Sequence, residues 1–205
     1  VQITPGFQAS VIGGGDASPW IVRAPSQQVY HYSNDFSGPR TWNPDTKSST
    51  ASSLSVSPDG NPWTVGPSNF VWKRDPATGN WQQKGSLSVY EIAVGPNDSV
   101  WAIGTASCNA NGDCPIYHWD GRIWSQPNPG SAAQHITVSP DGTSVYVSNS
   151  AGTLYKRINN AWSVWPGTGC IRRSATGGAM GIPVIAATMD TVWVLGCDNG
   201  TSATI

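Results

Sequence analysis

One pattern recurs along this 205-residue chain. Aromatic residues flanked by β-branched ones stand at Trp20, Trp63, Trp101, Tyr146 and Trp193, at intervals of 43, 38, 45 and 47 residues. Each is preceded by a turn rich in Gly or Asp and followed by a polar loop and a second strand-length piece. In four copies a further Trp closes the unit: Trp42, Trp81, Trp124 and Trp162. A single unit of this size cannot bury its apolar face alone, so neighbouring units must stack. The pieces are too short for helices, and 23 Gly with 16 Pro leave little uninterrupted backbone. The chain therefore reads as all-β.

Period-2 alternation places the strands within each unit. Inner strands are read at SLSVS, EIAVG and HITVS, second strands at PWTVG, VWAIG, VYVSN and VWVLG, and third strands at VYHY, FVWKR, IYHW and TLYKR. The turn SPDG occurs at Ser57–Gly60 and Ser139–Gly142, where Pro presets the turn and Gly accepts a positive φ. The expectation is a single domain over 1–205, a five-bladed β-propeller with four-stranded antiparallel blades. The blades fall at about 9–43, 53–84, 91–126, 135–165 and 183–205. The fifth repeat stops before an outer strand, and the spacing puts residues 1–4 where that strand belongs. An N-terminal strand completing the C-terminal blade would remove an open sheet edge. About ten extra residues around CIRRSATGGAMG separate the fourth and fifth units.

Charge narrows the partners. Eleven Lys and Arg against 12 Asp and Glu leave a formal charge of −1, with no basic face for nucleic acid or an anionic membrane. No apolar run approaches the ~18 residues that cross a bilayer. Cys108 and Cys114 bracket the loop CNANGDC and are expected to form a disulfide; Cys170 and Cys197 are a second candidate pair. Two bridges would favour a secreted or extracellular location, as would a chain starting at Val1 with no leader pattern. Zinc-type spacing is absent, so no metal and no cofactor is expected.

The segments IAVGPNDSVWAIG and IYHWDGRIWSQ (within Ile92–Gln126) resemble a tectonin repeat. Ser55–Trp81 and Thr137–Trp162 resemble further copies, so the likeness spans nearly the whole chain. It implies a β-propeller lectin that binds glycans of glycoproteins, glycolipids or microbial surfaces, O-methylated sugars among them, in recognition or defence. It also leaves open a cytoplasmic location of the fungal fruiting-body type. Family members often have six blades, and this chain shows five anchors.

The residues themselves are compatible with sugar binding. Trp and Tyr offer apolar faces for stacking, and Asn, Asp and backbone groups offer planar polar partners. Several equivalent weak sites on a ring would raise avidity. Sites between blades are expected from Tyr30, Asn69, Trp72, Tyr117, Asn149, Tyr155, Asp198 and Asn199 as glycan-binding residues. The anchor aromatics read as blade-packing core, and the loop asparagines read equally as turn formers. The recurring basic positions His31, Lys73, His118 and Lys156 read either as donors to sugar oxygens or as stacked strand positions. No catalytic residues are expected. Glu91 is the only glutamate, no nucleophile or phosphate-loop motif occurs, and SPDG resembles the structural aspartate-box turn of sialidases without their catalytic residues. Two alternatives stand beside the lectin: a protein-interaction scaffold without sugar binding, and a calcium-dependent variant using the oxygen-rich CNANGDC loop.

Overall fold

The computed structural model describes residues 8–14, 19–32, 41–48, 50–166, 172–173, 179–181, 184–188 and 191–195. Strands β1 (Ala9–Gly13), β2 (Trp20–Arg23), β3 (Val29–Tyr32) and β4 (Trp42–Pro44) form a four-stranded antiparallel sheet in that order. The next path runs through β5 (Ser53–Val56), β6 (Pro62–Val65), β7 (Phe70–Arg74), β8 (Trp81–Val94), β9 (Val100–Gly104), β10 (Cys114–Trp119) and β11 (Trp124–Ser125). The short strand β12 (Ala132–Ala133) pairs with β10. A further four-stranded sheet comprises β13 (His135–Val138), β14 (Val145–Ser148), β15 (Leu154–Ile158) and β16 (Ala161–Val164). Two hairpins follow, β17 (Arg172–Arg173) with β18 (Ala179–Gly181) and β19 (Val184–Ala187) with β20 (Val192–Leu195).

The strands expected from alternation are all found. One difference is β8, which serves as the outer strand of the second unit and the inner strand of the third. Its 14 residues contain no proline, and a bulge at Gly85 (φ +72) marks where the register with β7 shifts. At the corresponding junctions Pro44, Pro127 and Pro129 interrupt the chain.

Register fixes a repeated pair. Each anchor aromatic stands opposite a small inner-strand residue: Trp20 opposite Gly13, Trp63 opposite Ser55, Trp101 opposite Ala93, Tyr146 opposite Thr137 and Trp193 opposite Ala186. The inner strands surround one cavity of about 340 Å³, with Gly14, Ser55, Ala93, Thr137 and Ala187 in its wall. A Cβ on Gly13 would come within 2.8 Å of Val56 Cγ2. Adjacent inner strands are tied by hydrogen bonds to side chains, and His135 Nδ1 also meets Glu91 Oε2 at 2.8 Å. Val94 N donates to Ser55 Oγ at 3.0 Å, Ala187 N to Thr137 Oγ1 at 3.0 Å, and Ile136 N to Glu91 Oε1 at 3.3 Å.

Each sheet buries an inner-strand aliphatic residue against the anchor of the sheet before it. Leu54 joins the cluster around Trp20, Ile92 the cluster around Trp63, Ile136 the cluster around Trp101, and Ile185 the cluster around Tyr146. The outer tryptophans lie across the same junctions, with Trp81, Trp124 and Trp162 packed on the first three clusters. The turns interlock too. Gly142, at φ +73, lies so close to Pro96 of the preceding sheet that a Cβ would meet its ring at 2.7 Å.

The two ends differ from the junctions. Ile12 holds the register position of Leu54, yet it is 71% exposed against 5%. Trp193 is 46% exposed, whereas the other four anchors are buried. Among the described residues the sheets do not close into a ring. Residues 1–4, the chain beyond 195, and Cys170 and Cys197 lie outside the described residues; Cys108 and Cys114 are bridged.

The contrast at one register position gives a direct stability test. Leu54→Ala should cost about 2–5 kcal/mol, as large-to-small changes in a packed core do. Ile12→Ala should cost less than about 0.5 kcal/mol, as exposed sites do. Urea unfolding of the two variants beside the wild type measures both.

Candidate functional site

The third strands carry most of the candidate residues, and alternation sends successive side chains to opposite faces. Tyr30, Trp72, Tyr117 and Tyr155 face one way; His31, Lys73, His118 and Lys156 face the other. The basic set lies directly across from the anchors in the pairs Trp20–His31, Trp63–Lys73, Trp101–His118 and Tyr146–Lys156. His31 and His118 lie against their tryptophans at centroid distances of 5.0 and 4.5 Å. The Lys73 and Lys156 ammoniums sit 5.5 and 5.3 Å from their aromatic centroids. These residues are stacked within the sheets. Lys73 also forms an ion pair with Asp98 of the next sheet.

The four candidate aromatics have different surroundings. Tyr30 is buried, and its hydroxyl accepts from Arg23 Nη1 and donates to Gln28 Oε1, each at 3.2 Å. The Trp72 ring lies on Gly66, where a Cβ would come within 2.9 Å of it. The Tyr117 ring lies likewise on Gly104, at 2.7 Å. Tyr155 instead lines an open cleft of about 150 Å³ at the junction with the preceding sheet. Trp162, Ile116, Val147, Ser131 and Ala132 complete it.

The loop residues act on their own backbone. Asn69 takes a left-handed conformation (φ 60) in a tight turn after Gly66. Asn149 Oδ1 accepts from the backbone N–H groups of Ala151 and Thr153 at 3.1 and 2.9 Å. Asp198 and Asn199 lie outside the described residues. In the CNANGDC loop, Asn109 Oδ1 accepts from Asn111 N and Asp113 N. The buried Asp113 carboxylate receives Ser150 N at 2.6 Å and Ser150 Oγ at 2.8 Å. These loop oxygens are thus directed at donors of the protein, and no group of three or more His, Cys, Asp or Glu side chains suited to a metal occurs among the described residues.

Two arginines form matching constellations that the recurring basic positions did not reveal. Arg74 and Arg157 follow Lys73 and Lys156, and each reaches back to the anchor of the preceding sheet. Their guanidinium carbons lie 5.4 Å from the Trp20 centroid and 4.9 Å from the Trp101 centroid. Arg74 Nε donates to Asp45 Oδ2 at 2.8 Å, and Arg157 Nε to Asn128 Oδ1 at 3.4 Å. Both partners precede their arginine by 29 residues. The sequence signal was the Lys-Arg dipeptide at 73–74 and 156–157, matched by the two SPDG turns. Units one and two together resemble units three and four.

A second cavity, about 300 Å³, lies beside Arg74 and is lined by His31, Asp45, Lys47 and Gly79. Its charges are already engaged within the protein, since Asp45 pairs with Arg74 and Lys47 Nζ donates to Thr78 O. The central cavity has neither aromatic nor charged lining among the described residues. The Tyr155 cleft is the smallest of the three and the one with stacking surfaces.

No protein-family model and no curated protein sequence matches the chain. Solved structures do. Streptogramin B lyase aligns with a TM-score of 0.58 at 20% identity, covering 90% of this chain and 61% of that one. YCF48 bound to a D1 peptide aligns at 0.52 and 15%, covering 80% and 55%. A functionally unknown protein from Desulfotomaculum acetoxidans DSM 771 aligns at 0.56 and 16%, covering 94% and 64%. The fold is a β-propeller. The chain spans less than two thirds of the length of these structures, and the likeness to them does not extend to the tectonin family.

The stacked histidines set a pH dependence. Burial holds the His31 pKa below the ordinary 6.5; Asp45 draws it upward and Arg74 pushes it further down. Burial also lowers His118, helped by Arg157 and opposed by Asp120. The unfolded chain therefore takes up these protons at higher pH than the folded one. Stability should be full above pH 6.5 and should fall as the pH drops from 6.5 toward the folded pKa values. Urea midpoints across this range should slope less in His31→Gln and His118→Gln; an unchanged slope would count against the assignment.

Proposed function

We propose that this chain is a carbohydrate-binding β-propeller with no catalytic role. The observation that carries the reading is the cleft between the third and fourth blades, where Tyr155 and Trp162 present aromatic surface beside the Ser131 hydroxyl. Sugar rings pair an apolar face with a belt of hydroxyls, and a small aromatic cleft with polar groups at its rim suits both. The low charge of the chain fits a mostly uncharged ligand body. Tyr30, Trp72 and Tyr117 are packed against their own blades, so the reading now rests on one cleft rather than on equivalent sites all round. The Cys108–Cys114 bridge supports an extracellular setting.

In the same reading the ring has five blades, and residues 1–4 complete the fifth. The support is that five inner strands already wall one cavity, and that Ile12 and Trp193 are the apolar residues such a closure would bury. Deleting residues 1–7 should then lower the melting temperature by several degrees. An unchanged melt would leave the termini without a part in the ring.

The competing reading is a protein-interaction propeller, favoured by the structural neighbour that is bound to a peptide. A glycan array followed by calorimetry separates the two. Binding to a defined glycan should weaken on the order of tenfold or more in Tyr155→Ala, as loss of a central aromatic contact does. An array without signal at high protein concentration favours the scaffold. The calcium-dependent variant predicts loss of binding with chelator, and unaltered binding would dispose of it.

A further inference from the structure

We infer that the ligand of the Tyr155 cleft carries a carboxylate, as an acidic sugar does, and that Arg157 receives it. This rests on the glycan reading above and names the class of glycan.

Two matched junctions give their arginines different partners. At the first, Arg74 lies over Trp20 and its Nε meets the Asp45 carboxylate at 2.8 Å. Asp45 is buried and also accepts from Lys47 N and Ser48 N, at 2.9 and 3.2 Å, so the protein itself supplies an anion to this arginine. At the second, Arg157 lies over Trp101, and the residue 29 positions before it is Asn128. An amide oxygen at 3.4 Å replaces the carboxylate, and Asn128 Nδ2 donates to Asn160 O at 2.6 Å. Among the described residues no carboxylate lies within ion-pairing distance of Arg157. A partly buried guanidinium without a counter-charge favours an incoming anion, and its planar fork matches a carboxylate.

Arg157 also stands next to the cleft. Tyr155 and Arg157 share one face of β15, and Arg157 pairs across the sheet with Trp162, which lines the cleft. Trp162 in turn meets Trp101 edge-on at 6.2 Å, beneath the guanidinium. A sugar ring stacked on Tyr155 and Trp162 thus has the unpaired cation one residue row away. At the Arg74 junction an acidic ligand would have to displace Asp45, so the inference assigns one site and not two.

The test uses two probes that differ only in a carboxylate against a hydroxymethyl group, methyl glucuronide and methyl glucoside. Each is titrated into the whole protein and followed by NMR at low salt. The glucuronide should bind at least tenfold tighter, and added salt should erode the preference, because a partly exposed ion pair is screened. Asn128→Asp, which installs the arrangement of the first junction, should abolish the preference, and Arg157→Gln should do the same. Thermal melts confirm that both variants remain folded. Equal affinity for the two probes, no saturable binding of the glucuronide, or a preference that survives in both variants overturns the inference. The underlying reading fails separately. If Tyr155→Ala leaves glucuronide binding intact while Arg157→Gln removes it, the aromatic cleft is not the site. If Tyr155→Ala weakens glucoside binding and no acidic preference exists, the cleft stands without the carboxylate.

Discussion

An aliphatic side chain on four of the inner strands, buried against the aromatic anchor of the preceding sheet, holds the described structure together. Leu54, Ile92, Ile136 and Ile185 each do this. The contact requires the inner strands to converge, and convergence restricts what stands opposite each anchor. Gly, Ser, Ala, Thr and Ala occupy those five positions, and at Gly13 a Cβ would meet Val56 of the neighbouring strand at 2.8 Å. Packing at native density tolerates few alternatives at such points. Ser55 and Thr137 add hydroxyls that accept a backbone N–H from the next inner strand, so otherwise unpaired edge donors find partners.

The same geometry sorts the polar residues. Third-strand side chains that face their own anchor are stacked on it. Those facing the preceding sheet enter the junction between blades, where arginine or aromatic groups meet loop residues. Asp45 and Asn128 show how the residue at one loop position changes the electrostatics of a junction. Asp45 neutralises Arg74; Asn128 only hydrogen-bonds Arg157. A propeller can thus carry different recognition chemistry at successive junctions on a near-constant frame.

The solved structures that resemble the chain illustrate that separation of frame and function. One is a lyase and another is bound to a peptide, at 20% and 15% identity. They share the fold with this chain, and the functional reading has to come from the clefts instead.

The repeat determined the strands, their antiparallel order and the burial of the anchors from Trp20 to Tyr146, because alternation, turn residues and spacing are local properties of the chain. The bridge between Cys108 and Cys114 was legible for the same reason, with only five residues between them. Tertiary structure alone decided which third-strand aromatic lines a cleft. Tyr30, Trp72, Tyr117 and Tyr155 are equivalent in sequence, but Gly66 and Gly104 let two of them lie flat on their own sheet, and Arg23 and Gln28 hold a third. It also paired Arg157 with Asn128 across 29 residues and left Ile12 exposed where Leu54 is buried. Such differences depend on what the adjacent sheet places at each junction, and a strand's own alternation carries no record of its neighbour.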